Sequence, residues 1–125
     1  MAGMGLNILI GDASPRVRFG LRILLEQQPG WRVVGEAEDA QALLESVCLG
    51  CPDLVLLDME LPGMPAQELL TVIRHACPHL SIVFMSCKGE LRQVAFQVGA
   101  DVFAYKADPP EKLLELIRGL VRSVE

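Results

Sequence analysis

Leu54-Val55-Leu56-Leu57-Asp58 is a run of four apolar residues ending on an acid, with Pro52-Asp53 before it and Met59-Glu60-Leu61-Pro62-Gly63-Met64 after it. A short apolar run fenced by turn residues on both sides reads as a strand buried on both faces, the pattern of a parallel sheet. Asp58 then projects from the strand's carboxyl end, the edge of an open α/β sheet where ligands bind. Asp also opens turns, so this stretch alone leaves a simple capping role open.

Working outward, the same unit recurs. Leu6 to Ile10 is an apolar run that stops at Gly11-Asp12, and Ser14-Pro15 predicts an N-cap with proline at the first helical position. Val17, Leu21, Leu24 and Leu25 keep helical spacing until Pro29-Gly30. Trp31 to Ala37 predicts a second strand, Asp39 a cap, and Ala40, Leu43, Leu44 and Val47 the buried stripe of a helix ended by Gly50. After Asp58 a helix is expected from about Pro65, with Leu69, Val72, Ile73 and Ala76 facing inward and Cys77-Pro78 closing it. Ser81 to Met85 is the fourth strand. Leu91, Val94, Ala95 and Val98 mark a helix stopped by Gly99. Val102 to Tyr105 is the fifth strand, and Leu113, Leu116, Ile117, Leu120, Val121 and Val124 give the last helix one apolar face. Five strand-helix units in strict alternation imply an α/β fold, a parallel sheet with helices on both faces joined by right-handed crossovers. One domain over residues 1–125 is expected, with no linker or low-complexity tract.

Composition narrows the function classes. Half of the 125 residues are apolar (51%), yet no apolar run approaches the roughly 18 residues of a membrane span, and the start lacks a signal peptide's basic and apolar regions. A cytoplasmic protein without membrane contact is expected. A net charge of −5 with no basic run argues against this domain gripping nucleic acid. Cys48, Cys51, Cys77 and Cys87 are expected as free thiols, because disulfides are rare where no secretory signal is present.

The alternation brings Asp12, Asp58, Ser86 and Lys106 to one edge, each directly after its apolar run. Any one of them alone reads as a loop residue. Two carboxylates, a hydroxyl and an ammonium together suit a phosphoryl group carried on an aspartate: a nucleophile, a divalent cation against the oxygens, and donors to hold the rest.

At this point the chain resembles the response-regulator receiver domains of two-component signalling, over essentially its whole length. The matching residues are Leu54 to Asp58 with Leu61-Pro62-Gly63-Met64, the series Pro15, Arg18, Gly20-Leu21, and Gly99-Ala100-Asp101-Val102-Phe103 leading to Lys106. The resemblance implies a flavodoxin-like, doubly wound (βα)5 domain with strand order 2-1-3-4-5. It implies Asp58 as phosphoacceptor, Ser86 and Lys106 as phosphoryl contacts, and Phe103 as the aromatic whose rotation reports the state of Ser86. Further implied are a Mg2+ ion held by Asp12, Asp58 and the Glu60 carbonyl, and a histidine kinase as phosphoryl donor. The fourth helix, fifth strand and fifth helix would form a homodimer or output face, in the context of a regulator with a C-terminal helix-turn-helix domain.

Among the departures from the family, two bear on metal binding. Similar receivers carry two adjacent acids after the first strand, which align with Asp12 and Ala13, so the second acid is missing. Mg2+ is usually held by only one or two carboxylates, and losing one should weaken it. Glu60 could coordinate the metal in compensation, pair with Lys106, or be a solvated loop acid. A degenerate receiver that works as a phosphorylation-independent interaction module therefore stands beside the phosphorylated one. A small Asp-nucleophile phosphatase remains as an alternative of another class, although Glu60-Leu61-Pro62 lacks its second Asp. A flavodoxin-like electron carrier would need a Ser, Thr and Gly-rich first loop, which Asp12-Ala13-Ser14-Pro15-Arg16 is not. Cys48, Cys51, Cys77 and His79, with ligand-type chemistry at the opposite edge, leave a zinc site open.

Overall fold

The computed structural model describes residues 5–124, with side chains described as far as Arg122. The order is β1 (Leu6–Gly11), α1 (Pro15–Glu26), β2 (Trp31–Ala37), α2 (Ala40–Leu49), β3 (Leu54–Asp58), α3 (Ala66–Ala76), β4 (Ser81–Ser86), α4 (Arg92–Gln97), β5 (Val102–Tyr105) and α5 (Pro110–Val124). A 3-10 turn at Gly89–Leu91 leads into α4. All strand pairs are parallel and the sheet order is β2-β1-β3-β4-β5. The flavodoxin-like order expected from the resemblance is therefore the order observed.

The caps act as the sequence indicates. The Ser14 hydroxyl accepts the Val17 N–H at 3.2 Å and the Asp39 carboxylate accepts the Ala42 N–H at 2.8 Å, each satisfying a donor that the first helical turn would leave unpaired. β3 lies at the centre of the sheet, and Leu54, Val55, Leu56 and Leu57 are at most 1% exposed. Their alternation divides the core in two. Leu54 and Leu56 join Ile8, Ile10, Leu25 of α1 and Ile117 of α5 on one face. Val55 and Leu57 join Leu43 of α2, Ile73 of α3, Ala95 of α4 and Phe103 of β5 on the other. Each such fully buried side chain contributes roughly 2 kcal/mol, which makes β3 a rigid mount for the acid at its end.

Several expected core positions shift. In α3 the buried stripe is Leu69, Leu70 and Ile73, continued by Cys77, whereas Val72, 44% exposed, and Ala76, also exposed, fall beside it. In α4, shortened by the preceding 3-10 turn, Ala95 is buried and Val94 is exposed. Leu114 joins Ile117 as the buried pair of α5, while the side chain of Val124 lies outside those described.

The expectation of four free thiols is corrected. Cys51 and Cys77 form a disulfide between the α2–β3 connection and the residue after α3, and Cys48 and Cys87 are free and exposed. Both connections reach the same end of the sheet, beside Asp53 and Ser81, whose main chains are hydrogen-bonded. A zinc site using Cys51 and Cys77 thiolates is not available in this state. No group of three or more His, Cys, Asp or Glu is arranged for a metal among the described residues. No helix among them is long and apolar enough to cross a membrane.

Candidate functional site

Main-chain bonds just beyond the strand ends fix the site residues. The Asp12 N–H donates to Ala37 O at 3.0 Å, the Met59 N–H to Met85 O at 2.9 Å, and the Lys106 N–H to Ser86 O at 2.8 Å. In β1, β3 and β5 the last ladder bond thus reaches one residue into the loop. Asp12, Asp58, Ser86 and Lys106 arrive at one edge by the in-register stacking of β1, β3, β4 and β5.

Lys106 lies between the two acids. Its Nζ donates to Asp12 Oδ2 at 2.6 Å and to Asp58 Oδ2 at 3.2 Å. The remaining oxygens are also engaged: Asp12 Oδ1 accepts the Ser14 N–H at 2.9 Å, and Asp58 Oδ1 accepts the Glu60 N–H at 2.9 Å. Asp12 is almost wholly buried, 2% exposed, and its carbonyl accepts from Arg18 Nη1 at 2.7 Å. Arg18 also bonds Glu36 at 3.0 Å, so α1 is tied to both β1 and β2 just behind the site.

Partial burial is the largest influence on the Lys106 ammonium and disfavours its charge. The hydrogen bond to Asp12 and the charges of Asp58 and Asp12 together outweigh that penalty and leave the pKa raised above the ordinary 10.5. A cation held this firmly between two carboxylates is a fixed part of the site.

The other candidates are placed as follows. Ser86 is fully buried, and its hydroxyl accepts the Lys88 N–H at 2.9 Å. Phe103 is buried in the core cluster of Leu57 and Phe84, opposite Phe84 in the β4–β5 ladder. Ala13 is exposed, on a shallow cleft shared with Glu38, Asp39 and Gly63. The Glu60 carboxylate does not pair with Lys106. It meets Lys88 Nζ at 3.0 Å, and both side chains are more than half exposed. This bridge joins the loops after β3 and β4 at the rim of the site. The sequence pattern does not point to Lys88; its position two residues after Ser86 is the available signal.

The donor set fits a Mg2+ ion. Asp12 and Asp58 already direct one oxygen each onto a common cation, and two carboxylates are what a Mg2+ that keeps several waters requires. Ala13 supplies no third carboxylate.

A doubly wound α/β domain that gathers two carboxylates, a lysine and a buried hydroxyl at the strands' carboxyl ends has the architecture of a phosphoryl-signalling module. Residues 8–118 match the family model described as the response regulator receiver domain, and the chain belongs to that family. It is 35% identical over 113 residues to the nitrate/nitrite response regulator protein NarL of Escherichia coli K12, covering 89% of this chain and 52% of that protein. NarP of the same strain is 33% identical over 114 residues, covering 90% and 53%. The chain thus spans about half the length of these curated relatives. Among solved structures, a LuxR-family two-component response regulator from Aurantimonas sp. SI85-9A1 superposes with a TM-score of 0.87 at 30% identity, covering 95% of this chain and 86% of that one. The isolated receiver domain of RcsB from Salmonella enterica serovar Typhimurium, solved with the phosphomimetic BeF3−, gives 0.87 at 26% identity, covering 94% and 89%.

Proposed function

We propose that Asp58 accepts a phosphoryl group from a histidine kinase and that the domain thereby switches an output surface of a transcriptional regulator. The observation that carries this reading is Lys106 bridging Asp12 and Asp58 at the end of the sheet. Asp58 is the acid with access, its side chain 13% exposed against 3% for Asp12. In the transfer an Asp58 carboxylate oxygen attacks phosphorus, the bond from phosphorus to the histidine nitrogen breaks, and that nitrogen leaves with the electron pair. Lys106 exchanges its contact on Asp58 for a phosphoryl oxygen while keeping Asp12 as its anchor, and the Ser86 hydroxyl donates to a second oxygen. When bound by Asp12, Asp58 and the Glu60 carbonyl, Mg2+ supplies charge neutralisation at the transferring oxygens. Phe103 is the aromatic whose packing follows the Ser86 hydroxyl. Exposed Val94 and Phe96 on α4 and Tyr105 on β5 support the α4-β5-α5 face as the dimer or output surface.

A small phosphoryl donor such as acetyl phosphate, with and without Mg2+, tests this. Intact-protein mass spectrometry should show one acid-labile phosphoryl adduct in the wild type and none in Asp58→Asn. Absence of the adduct in the wild type with several competent donors refutes the reading.

Ala13 specifically favours a second reading, a degenerate receiver that acts as an interaction module without phosphorylation. Its two carboxylates already share the Lys106 ammonium. No measurable Mg2+ affinity at millimolar concentration would support it, and phosphorylation-dependent dimerisation would exclude it.

A further inference from the structure

The sheet edge opposite Asp58 carries chemistry that phosphoryl transfer does not use. Cys51, two residues beyond α2, is exposed, whereas Cys77, directly after α3, is 3% exposed, and the two are joined across 26 residues of chain. The closed segment contains β3, Asp58 and all of α3. Cys51 and Cys77 share the wall of a cleft of about 610 Å3 with Trp31, His79 and Val121. Cys51 Sγ also lies 3.7 Å from the Ala76 carbonyl, an oxygen within reach of the Cys51 thiol proton once the bond is reduced.

We propose that Cys51 and Cys77 are a peroxide-reactive thiol pair, with Cys51 the attacking sulfur and Cys77 the resolving one. Exposure assigns the roles, since an oxidant reaches Cys51 from solvent and not Cys77. The Cys51 thiolate attacks one oxygen of hydrogen peroxide, the O–O bond breaks, and the departing hydroxide takes a proton to become water, leaving Cys51 as a sulfenic acid. The Cys77 thiolate then attacks Cys51 sulfur, the S–O bond breaks, and a second water leaves as the disulfide forms. Two thiols lose two electrons and one peroxide gains them. A dithiol reverses the bond by exchange at the exposed Cys51 sulfur. Cys48, three residues before Cys51 and also exposed, is free in this pairing, which makes Cys77 and not the Cys48-x-x-Cys51 neighbour the resolving residue. Oxidation pins the α2–β3 connection to the end of α3 and gives the domain an input separate from its phosphoacceptor edge.

The test uses Cys48→Ser/Cys87→Ser, which retains this pair alone. Hydrogen peroxide should take its thiol count from two to none without linking chains, and dithiothreitol under native conditions should restore both thiols. Reduction should lower Tm by about 10 °C, the effect expected for opening a loop of this length. The emission of Trp31, the only tryptophan, should change reversibly with it. In a further Cys77→Ser variant, dimedone should trap a sulfenic acid at Cys51. With Cys51→Ser instead, Cys77 should remain unmodified at the same peroxide dose. A disulfide that dithiothreitol cannot open in the folded protein, one that peroxide cannot re-form, or a sulfenic acid first at Cys77 overturns the proposal.

Discussion

Lys106→Met keeps most of the side chain's length and removes its charge. The Lys106 Nζ lies 2.6 Å from Asp12 and 3.2 Å from Asp58, and at an effective dielectric of about 20 the gross attractions are about 6 and about 5 kcal/mol. Desolvation of the three charges, several kcal/mol each, offsets most of this. The variant, however, retains that desolvation for Asp12 and Asp58 while losing their cation. Removing one partner of a buried pair costs about 3–5 kcal/mol. Because the Lys106 and Asp58 side chains keep 18% and 13% of their exposure, the lower end applies, about 3 kcal/mol, or roughly 10 °C in Tm for a chain of this size. The raised Lys106 pKa fixes the sign with pH: its stabilisation is complete below the ordinary 10.5 and is lost as pH climbs through the higher folded-state value. From neutral pH upward, the difference between wild type and variant should therefore persist until strongly alkaline solution and then close. Mg2+ at ten times its Kd stabilises by RT ln 11, about 1.4 kcal/mol, and should reach this in the variant at lower concentration, since Lys106 no longer competes for the same carboxylates. Urea unfolding at neutral pH with a Mg2+ series measures both effects. Equal midpoints for the two proteins, or identical Mg2+ responses, would refute the assignment of Lys106 as the site's internal cation.

Three further outcomes follow from particular contacts. Ala13→Asp places a carboxylate beside Asp12 at an exposed position and should lower the Mg2+ Kd about tenfold, equivalent to 1.4 kcal/mol; an unchanged Kd by calorimetry would show that residue 13 does not face the cation. Glu36 accepts from Arg22 at 2.7 Å and Arg18 at 3.0 Å, and the Arg22 hydrogen bond, followed by Arg18, lowers its pKa against the opposing effect of partial burial. Glu36→Gln should cost about 1 kcal/mol at neutral pH, and the difference should fade as pH drops below 4.5 through the lowered folded-state value; a cost independent of pH from denaturant titrations would contradict this. Gly63 has φ +107°, and a Cβ there would stand 3.3 Å from Ala40 N and Cβ, so Gly63→Ala should destabilise by about 1–3 kcal/mol, and an unchanged Tm would show that the loop relaxes freely.

The architecture was legible because its signals are local. Apolar runs ending on polar residues, Ser14 and Asp39 as caps, and Gly99 after α4 each act within a few residues, and the observed elements begin and end close to them. The meeting of Asp12, Asp58 and Lys106 also followed, since a parallel sheet leaves every strand's carboxyl end on one side. What escaped depends on contacts distant in sequence. Whether Glu60 meets Lys106 or Lys88 is decided by how two loops lie together, and Lys106 was already engaged by two acids. Val72 and Val94 have helical spacing but miss the buried stripe, because the helix phase is set by neighbours such as Leu70 and Ala95 that pack better against the sheet. The Cys51–Cys77 pair was obscured by a rule about cellular compartment, which carries no information about which two helix ends lie side by side.

Ala13 bears on the charge of the site as well as on its metal ligands. Asp or Glu at residue 13 would add a third carboxylate next to Asp12; with Ala13, two carboxylates and one ammonium leave a net charge near −1. A divalent cation is attracted less strongly by that site, yet an incoming phosphoryl group is also repelled less. On the phosphoacceptor reading these effects oppose each other, so Ala13 should lower the dependence on Mg2+ more than it lowers the reaction itself. The rim has the same character. Glu60 and Lys88 are more than half exposed, and a pair of that kind is worth at most about 1 kcal/mol. A phosphoryl oxygen near Ser86 is a stronger partner for an ammonium than a solvated carboxylate is, and Lys88 follows Ser86 by two residues with its N–H already on the Ser86 hydroxyl. Release of Glu60 by Lys88 would then accompany phosphorylation and free the two loops from each other at the mouth of the site.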